Sequence, residues 1–250
     1  MILFGSGKLI AVPTHDYAGV AIAVPQPVVL GLLQEVSLDL SVDIKTLYGA
    51  DSYPVAVAQG KGKISVKAKN AEIDAGVMGS LFFGMTPAAA IKNVANDVPG
   101  TVPGTPYQLT PSVPGSGTWV ADLGVFDAVT GAQLIRVASS PATGQYSVAA
   151  GVYTFAAADT TDTVKFNFEY SATSSAAKLF TITNRQMGYT PSFSMILKGS
   201  YDGHDLVAKF FRGVSSKLNF GMKNEDFTIP DFEAEAFANP AGDVGWICMV

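Results

Sequence analysis

The chain has two imidazoles, one thiol and two glycine–lysine loops that could do chemistry, and each falls short of a known catalytic spacing. His15 stands in Pro13-Thr14-His15-Asp16, and His204 follows Asp202-Gly203 and precedes Asp205. A triad of some serine with His204 and Asp205 would make an esterase, but no G-x-S-x-G nucleophile elbow accompanies it. His204 is therefore expected as an exposed turn residue and His15 as a loop or cap residue. Gly5-Ser6-Gly7-Lys8 is like the end of a phosphate-binding loop, yet Ile2 holds the place of the first glycine and Leu9 follows the lysine. Gly60-Lys61-Gly62-Lys63 leads into a strand, whereas a phosphate cradle opens a helix. Both are read as turns.

The lone Cys248 rules out an internal disulfide framework and a cysteine zinc site, and it is expected as a small buried residue. The acidic, aromatic stretch around Asp226, Asp231, Glu233 and Glu235 lacks the alternating carboxylates of a calcium loop. It is read as a charged edge strand. Lys61, Lys63, Lys67 and Lys69 have no aromatics among them on which bases would stack. No metal, cofactor or enzymatic activity is expected.

The elements that carry these residues are strands. Val36, Leu38, Leu40, Val42 and Ile44 alternate with Glu35, Ser37, Asp39, Ser41, Asp43 and Lys45, which predicts a long strand with one wet face. Ile64, Val66 and Ala68 alternate with Lys63, Ser65, Lys67 and Lys69 in a second strand, beyond an extended loop from Tyr48 to Gly62. If the two pair antiparallel, an acidic face meets a basic one. Asp74 as a cap, Val77 and Leu81 one turn apart and Gly84 as a stop predict a short helix, and Thr86-Pro87 could open another.

Residues 97–117 are rich in Pro and Gly and read as a linker. Short hairpins follow, with strands near 120–126, 133–137, 146–148, 152–155 and 164–170, as a small β insert. Long strands return from Phe193 through a type I′ turn at Asp202-Gly203 to Arg212, with a further turn at Gly213–Ser216 and an edge strand over 244–250. The expected division is 1–99 with 173–250 as the main domain and 100–172 as linker and insert.

A chain of 250 residues is long enough to bury a core without staples. Its net charge of −5 argues against a dedicated nucleic-acid binder. Only 15% of residues are charged, which leaves weakly charged surface of the kind subunits bury against one another. The apolar stretch from Tyr17 to Leu33 is broken by Pro25 and Pro27, and no signal or membrane-spanning segment is expected.

In its order of elements the chain resembles bacteriophage major tail tube proteins. The resemblance lies in Gln34 to Gly84, with Lys45-Thr46-Leu47-Tyr48-Gly49 closing a strand, an apolar loop with Pro54, the Gly60-Lys61-Gly62-Lys63 strand and a short helix. It extends to Lys217 through Trp246, with Ile229-Pro230-Asp231-Phe232-Glu233 and Ala236-Phe237-Ala238. Residues 118–172 are similar to the variable β decoration of tail proteins.

What the resemblance implies is a mainly β fold: two antiparallel sheets packed as a sandwich or partial barrel, one short flanking helix, and long strands that join an inter-subunit β-barrel. Subunits would form hexameric rings that stack into a hollow tube for DNA ejection. The implied partners are other copies, the tape measure, the tail terminator and the baseplate or distal tail protein, with DNA passing unbound and no membrane partner. The implied location is the virion tail, after assembly in the host cytoplasm.

Glu35, Asp39, Asp43, Lys63, Lys67 and Lys69 are candidates for the inner wall. Tyr48, Asp51, Tyr53, Pro54 and Val55 are candidates for a loop reaching the next ring. Six copies at −5 each would carry −30, which would let phosphates slide. The alternative from another class is a surface glycan-binding or adhesion β-sandwich, which needs a concave aromatic patch.

Overall fold

A computed structural model describes residue 5 and residues 7–72, 75–184, 187–222, 224–225 and 227–250. The chain divides into two compact units, Met1–Pro87 with Phe180–Val250, and Ala88–Leu179. The inserted unit thus begins before residue 100 and ends after residue 172, the bounds expected from composition. In chain order the strands are β1 (Lys8–His15), β2 (Val28–Leu30), β3 (Leu33–Tyr48), β4 (Pro54–Asn70), β5 (Ala90–Thr101), β6 (Gln108–Leu109), β7 (Thr118–Asp127), β8 (Ile135–Arg136), β9 (Gln145–Ala149), β10 (Val152–Phe155), β11 (Thr163–Thr173), β12 (Ser192–Tyr201), β13 (His204–Asn219), β14 (Asp231–Phe237) and β15 (Gly245–Met249). The protein is mainly β, with antiparallel sheets packed together and one short helix.

The outer unit is an eight-stranded antiparallel sheet in the order β2-β1-β12-β13-β14-β4-β3, with β15 also on β13. Period-two alternation sends Leu9, Ala11, Val66, Ala68, Phe193, Met195, Ala208, Phe210, Phe232 and Ala234 into one core. Each large side chain buried there contributes about 1.5–3 kcal/mol of transfer free energy. The two ends of the sheet order, β2 and β3, are separated in the chain only by Gly31 and Leu32, so the sheet curls around this core. No ladder joins β2 to β3 among the described residues, and the barrel stays open.

Several expectations change here. Residues 54–62, expected as loop, form the first half of β4, because Thr46 and Leu47 pair with Val57 and Ala56. Only residues 49–53 connect the two strands. Gly213–Ser216 is not a turn: β13 runs through it with irregular register, held by β12 on one side and β14 on the other. The acidic β14 is not an edge strand, since β13 and β4 flank it. Cys248 on β15 is exposed. Asp202 and Gly203 both take positive φ, 49° and 78°, as a type I′ turn requires.

The short helix is a wide π-helical turn, Val77–Phe83, with Val77 and Leu81 buried in the core. The proposed cap Asp74 lies outside the described residues. Gly84 ends the turn in the left-handed region at φ 61°, where glycine carries no Cβ penalty. Gly79 is required by packing: a Cβ there would sit 2.7 Å from Phe180 Cε1 and 2.9 Å from the Met85 carbonyl oxygen. No helix follows Thr86-Pro87 among the described residues; Ala90 begins β5 instead.

The inserted unit is a small sandwich of two sheets, β5-β11-β7 and β6-β10-β9-β8. What read as a linker from residue 97 contributes the end of β5, paired with β11, and the buried Val102. The β8–β9 pair is parallel, so the strands of this region are not all hairpins. Its core is aromatic: Tyr146, Tyr153, Phe155, Phe166, Phe168 and Tyr170. Within it the Asp122 carboxylate, 3% exposed, accepts hydrogen bonds from the hydroxyls of Tyr146 (2.7 Å) and Tyr153 (3.0 Å) and from the Gly124 amide (3.1 Å). Arg136 completes the set at 3.5 Å, and the Trp119 indole donates to Tyr153 at 3.3 Å. A buried carboxylate is tolerable only when its lone pairs are occupied this way.

Candidate assembly surface

β3 and β4 are 16 and 17 residues long, and only their first and last halves, respectively, lie on the core. β14 pairs with β4 from Lys69 to Ile64 and stops there. From Asp39 to Tyr48 and from Pro54 to Lys63 the two strands pair with each other, and every residue is exposed. They form an arm standing off the sheet.

The register sets its two faces. Val36 and Leu38 pack against the core, and the same alternation continues outward through Leu40, Val42 and Ile44, with Val57 opposite Thr46 on β4. Ile44 is 68% exposed and Val57 62%. An exposed apolar sheet face therefore runs past the end of the core. Among the described residues no strand pairs with the outer edge of β3 from Leu40 to Tyr48, a combination that invites pairing with another chain. Tyr48, Asp51, Tyr53, Pro54 and Val55 all lie at the exposed tip, Tyr53 at 83%.

The opposite face is a ladder of charge. Lys69 bonds Glu35 at 2.6 Å, Lys63 bonds Glu235 at 2.7 Å, and Lys217 lies 3.8 Å from Glu233. Lys67 sits between Ser37 on β3 and Glu233 on β14. Acidic β3, basic β4, acidic β14 and Lys217 of β13 thus alternate across four strands. The hydrogen bond from Lys69 holds the Glu35 carboxyl below the usual range and lifts Lys69, while Glu235 lifts Lys63. Asp39 faces Ser65, and Asp43 lies beside Gly60 where the register shifts. Glu35 was legible as a partner for the lysine face; Glu233 and Glu235, about 170 residues farther on, were not, because no local pattern ties them to β4. The face carries both signs, as do the six residues offered as candidates for an inner wall.

Among the described residues the triad of a serine with His204 and Asp205 does not form. Asp205 bonds Lys198 at 2.7 Å, which with Ser200 lowers its pKa, and His204 is exposed at the start of β13. His15 Nδ1 lies 3.1 Å from the Ser192 hydroxyl, a pairing between residues 177 apart that no sequence spacing announces. Ser192 is 2% exposed and its carbonyl accepts from Thr14 at 2.9 Å, so this cluster seals the irregular β1–β12 pairing. No protein-family model matches the chain, and no curated protein matches it in sequence.

Proposed function

We propose that this chain is a self-assembling structural subunit of a phage tail tube, forming hexameric rings that stack into a conduit for DNA. The observation that carries the reading is the arm: an exposed apolar face from Leu40 to Ile44, next to the outer edge of β3 from Leu40 to Tyr48, with which no described strand pairs. Burying such a face against a neighbour is favourable at about 25 cal/mol per Å². Covering the edge removes the hazard of uncontrolled pairing. A head-to-tail contact whose rotation closes gives a ring. The ring size, the tube and the tail partners rest on the resemblance in residues 34–84 and 217–246.

Negative-stain microscopy and sedimentation of the purified chain test this. Rings or tubes of one diameter are expected. Ile44→Asp with Val57→Asp should give a monomer with an unchanged melting temperature, since both positions are outside the core. A wild-type chain that sediments as a monomer, or a double variant that assembles normally, overturns the reading.

A further inference from the structure

The face of the eight-stranded sheet that turns away from the core has two halves of different charge. On β14, β4 and β3 it is the ladder of both signs described above. On the other half, Val29, Ile10, Ile196, Lys209 and Trp246 are successive register partners across β2, β1, β12, β13 and β15. Their chain neighbours Leu9, Ala11, Met195, Ala208 and Phe210 are buried in the core, so alternation turns this row outward. Val29 and Trp246 are 51% and 45% exposed, and Ile10 and Ile196 are half-buried.

Cations flank the row. On one side Lys8 and Lys198 are direct register partners. On the other, Phe193 pairs with Gly213 and Met195 with Phe210, so Phe211 and Arg212 stand together opposite Ser194 as a bulge. Lys209 Nζ lies 5.8 Å from the centre of the Phe211 ring, and the Arg212 guanidinium lies 4.9 Å from that of Phe237. Asp205 on the same face bonds Lys198 at 2.7 Å. Among the described residues Lys8, Lys209 and Arg212 form no ion pair, and Nε of Arg212 is buried without an acceptor. The whole chain has 21 acids and 16 bases, yet here four cations meet one acid. The surface is complementary to a negative partner.

The arrangement selects among such partners. Successive bases of a nucleic-acid strand stack on rings, and Ile10 and Ile196 in the middle of the row offer none. A bilayer takes up apolar side chains that project from a surface, whereas these two are half-buried within a sheet. An apolar centre with a charged rim, and Trp and Arg together, is the composition of a protein interface. A carboxylate on such a partner supplies the acceptor that the Arg212 guanidinium lacks.

We propose that the outer face of β1, β12, β13 and β15 docks an acidic segment of another protein. Its carboxylates meet Lys8, Lys209 and Arg212, and its apolar side chains cover Ile10, Ile196 and Trp246. This goes beyond the self-assembly reading and does not depend on it.

The probe is a dye-labelled synthetic peptide of alternating glutamate and leucine, titrated into the full chain and followed by fluorescence anisotropy. It should bind, and carbodiimide coupling of its carboxylates should map to Lys8 or Lys209 by mass spectrometry. The same peptide with lysine in place of glutamate should not bind. Lys8→Gln with Lys209→Gln should weaken the acidic peptide by at least about tenfold and leave the melting temperature unchanged. Trp246→Ala should also weaken it, although no charge is lost, which a purely ionic contact would not show. No binding of the acidic peptide, or equal binding by the double variant, overturns the proposal. Oligothymidylate or phosphatidylserine vesicles that bind in place of the peptide, and are lost in the double variant, make the face a nucleic-acid or membrane contact and overturn it. Rings and tubes that vanish in the double variant make it a contact between copies, which overturns it as well. A wild-type chain that binds the peptide but never assembles overturns the self-assembly reading alone.

Discussion

Tyr146 donates its hydroxyl to the Asp122 carboxylate across 2.7 Å, joining β9 to β7 inside the inserted unit. Asp122 is nearly inaccessible and receives Tyr153 and Arg136 as well, so one side chain ties together strands of both sheets. Asp122→Ala leaves two buried hydroxyls without an acceptor and should cost about 2–4 kcal/mol. Hydrogen exchange of the β7, β9 and β10 amides measures it directly: protection should fall there and persist in the outer unit. Equal loss in both units would show that the network is not local.

The same pair sets an alkaline limit. Burial first, then the Asp122 hydrogen bond, push the Tyr146 hydroxyl well above the usual phenol range, and burial does the same to Tyr153. A group with a raised folded pKa gives stability that is complete below the unfolded value of about 10 and is lost as pH climbs beyond it. Unfolding midpoints of the inserted unit should therefore drop steeply above about pH 10. Tyr146→Phe should flatten that drop; an identical alkaline limb in the variant would refute the assignment.

Gly79 faces Phe180 so closely that a methyl group cannot be added without moving the ring or the Met85 carbonyl. Gly79→Ala should destabilise the outer unit by about 1–3 kcal/mol despite alanine's better helix propensity. Denaturant unfolding of this variant beside Gly79→Ala/Phe180→Ala decides the cause, because removing the ring should recover part of the loss.

Glu35 and Lys69 are exposed, and their contact should leave the melting temperature at pH 7 nearly unchanged in Glu35→Gln. The carboxyl pKa is the sensitive readout. It is held below the usual range by the Lys69 hydrogen bond, so the small stability it brings is present above about pH 4.3 and fades as pH falls through the lowered value. Titration of the Glu35 carboxyl by NMR should give a depressed value in the wild type and an ordinary one in Lys69→Ala.

Part of this architecture is local and readable. The alternation from Glu35 to Lys45 commits a long strand, because side chains two apart share a face whatever lies beyond it. Asp202-Gly203 commits a hairpin, because few dipeptides accept positive φ twice. Val77, Leu81 and Gly84 mark a short turn of helix, though its π geometry follows from how it wedges over the core.

The rest belongs to pairing at a distance. Thr86-Pro87 signals a helix start, but Ile91 and Lys92 are taken up by Ala172 and Ser171 of β11. Ala56 and Ala58 have weak strand preference and become strand because Leu47 and Lys45 lie opposite. An acidic, aromatic β14 would look the same at an edge; only lysines far back in the chain make it interior. Of the exposed arm, Tyr48, Tyr53 and Val55 could be singled out from one short stretch. A sequence determines by itself what neighbours along the backbone can settle between them, here strand periodicity and tight turns. Register, burial and the bare apolar face depend on contacts between residues far apart in the chain, and those exist only in the tertiary structure.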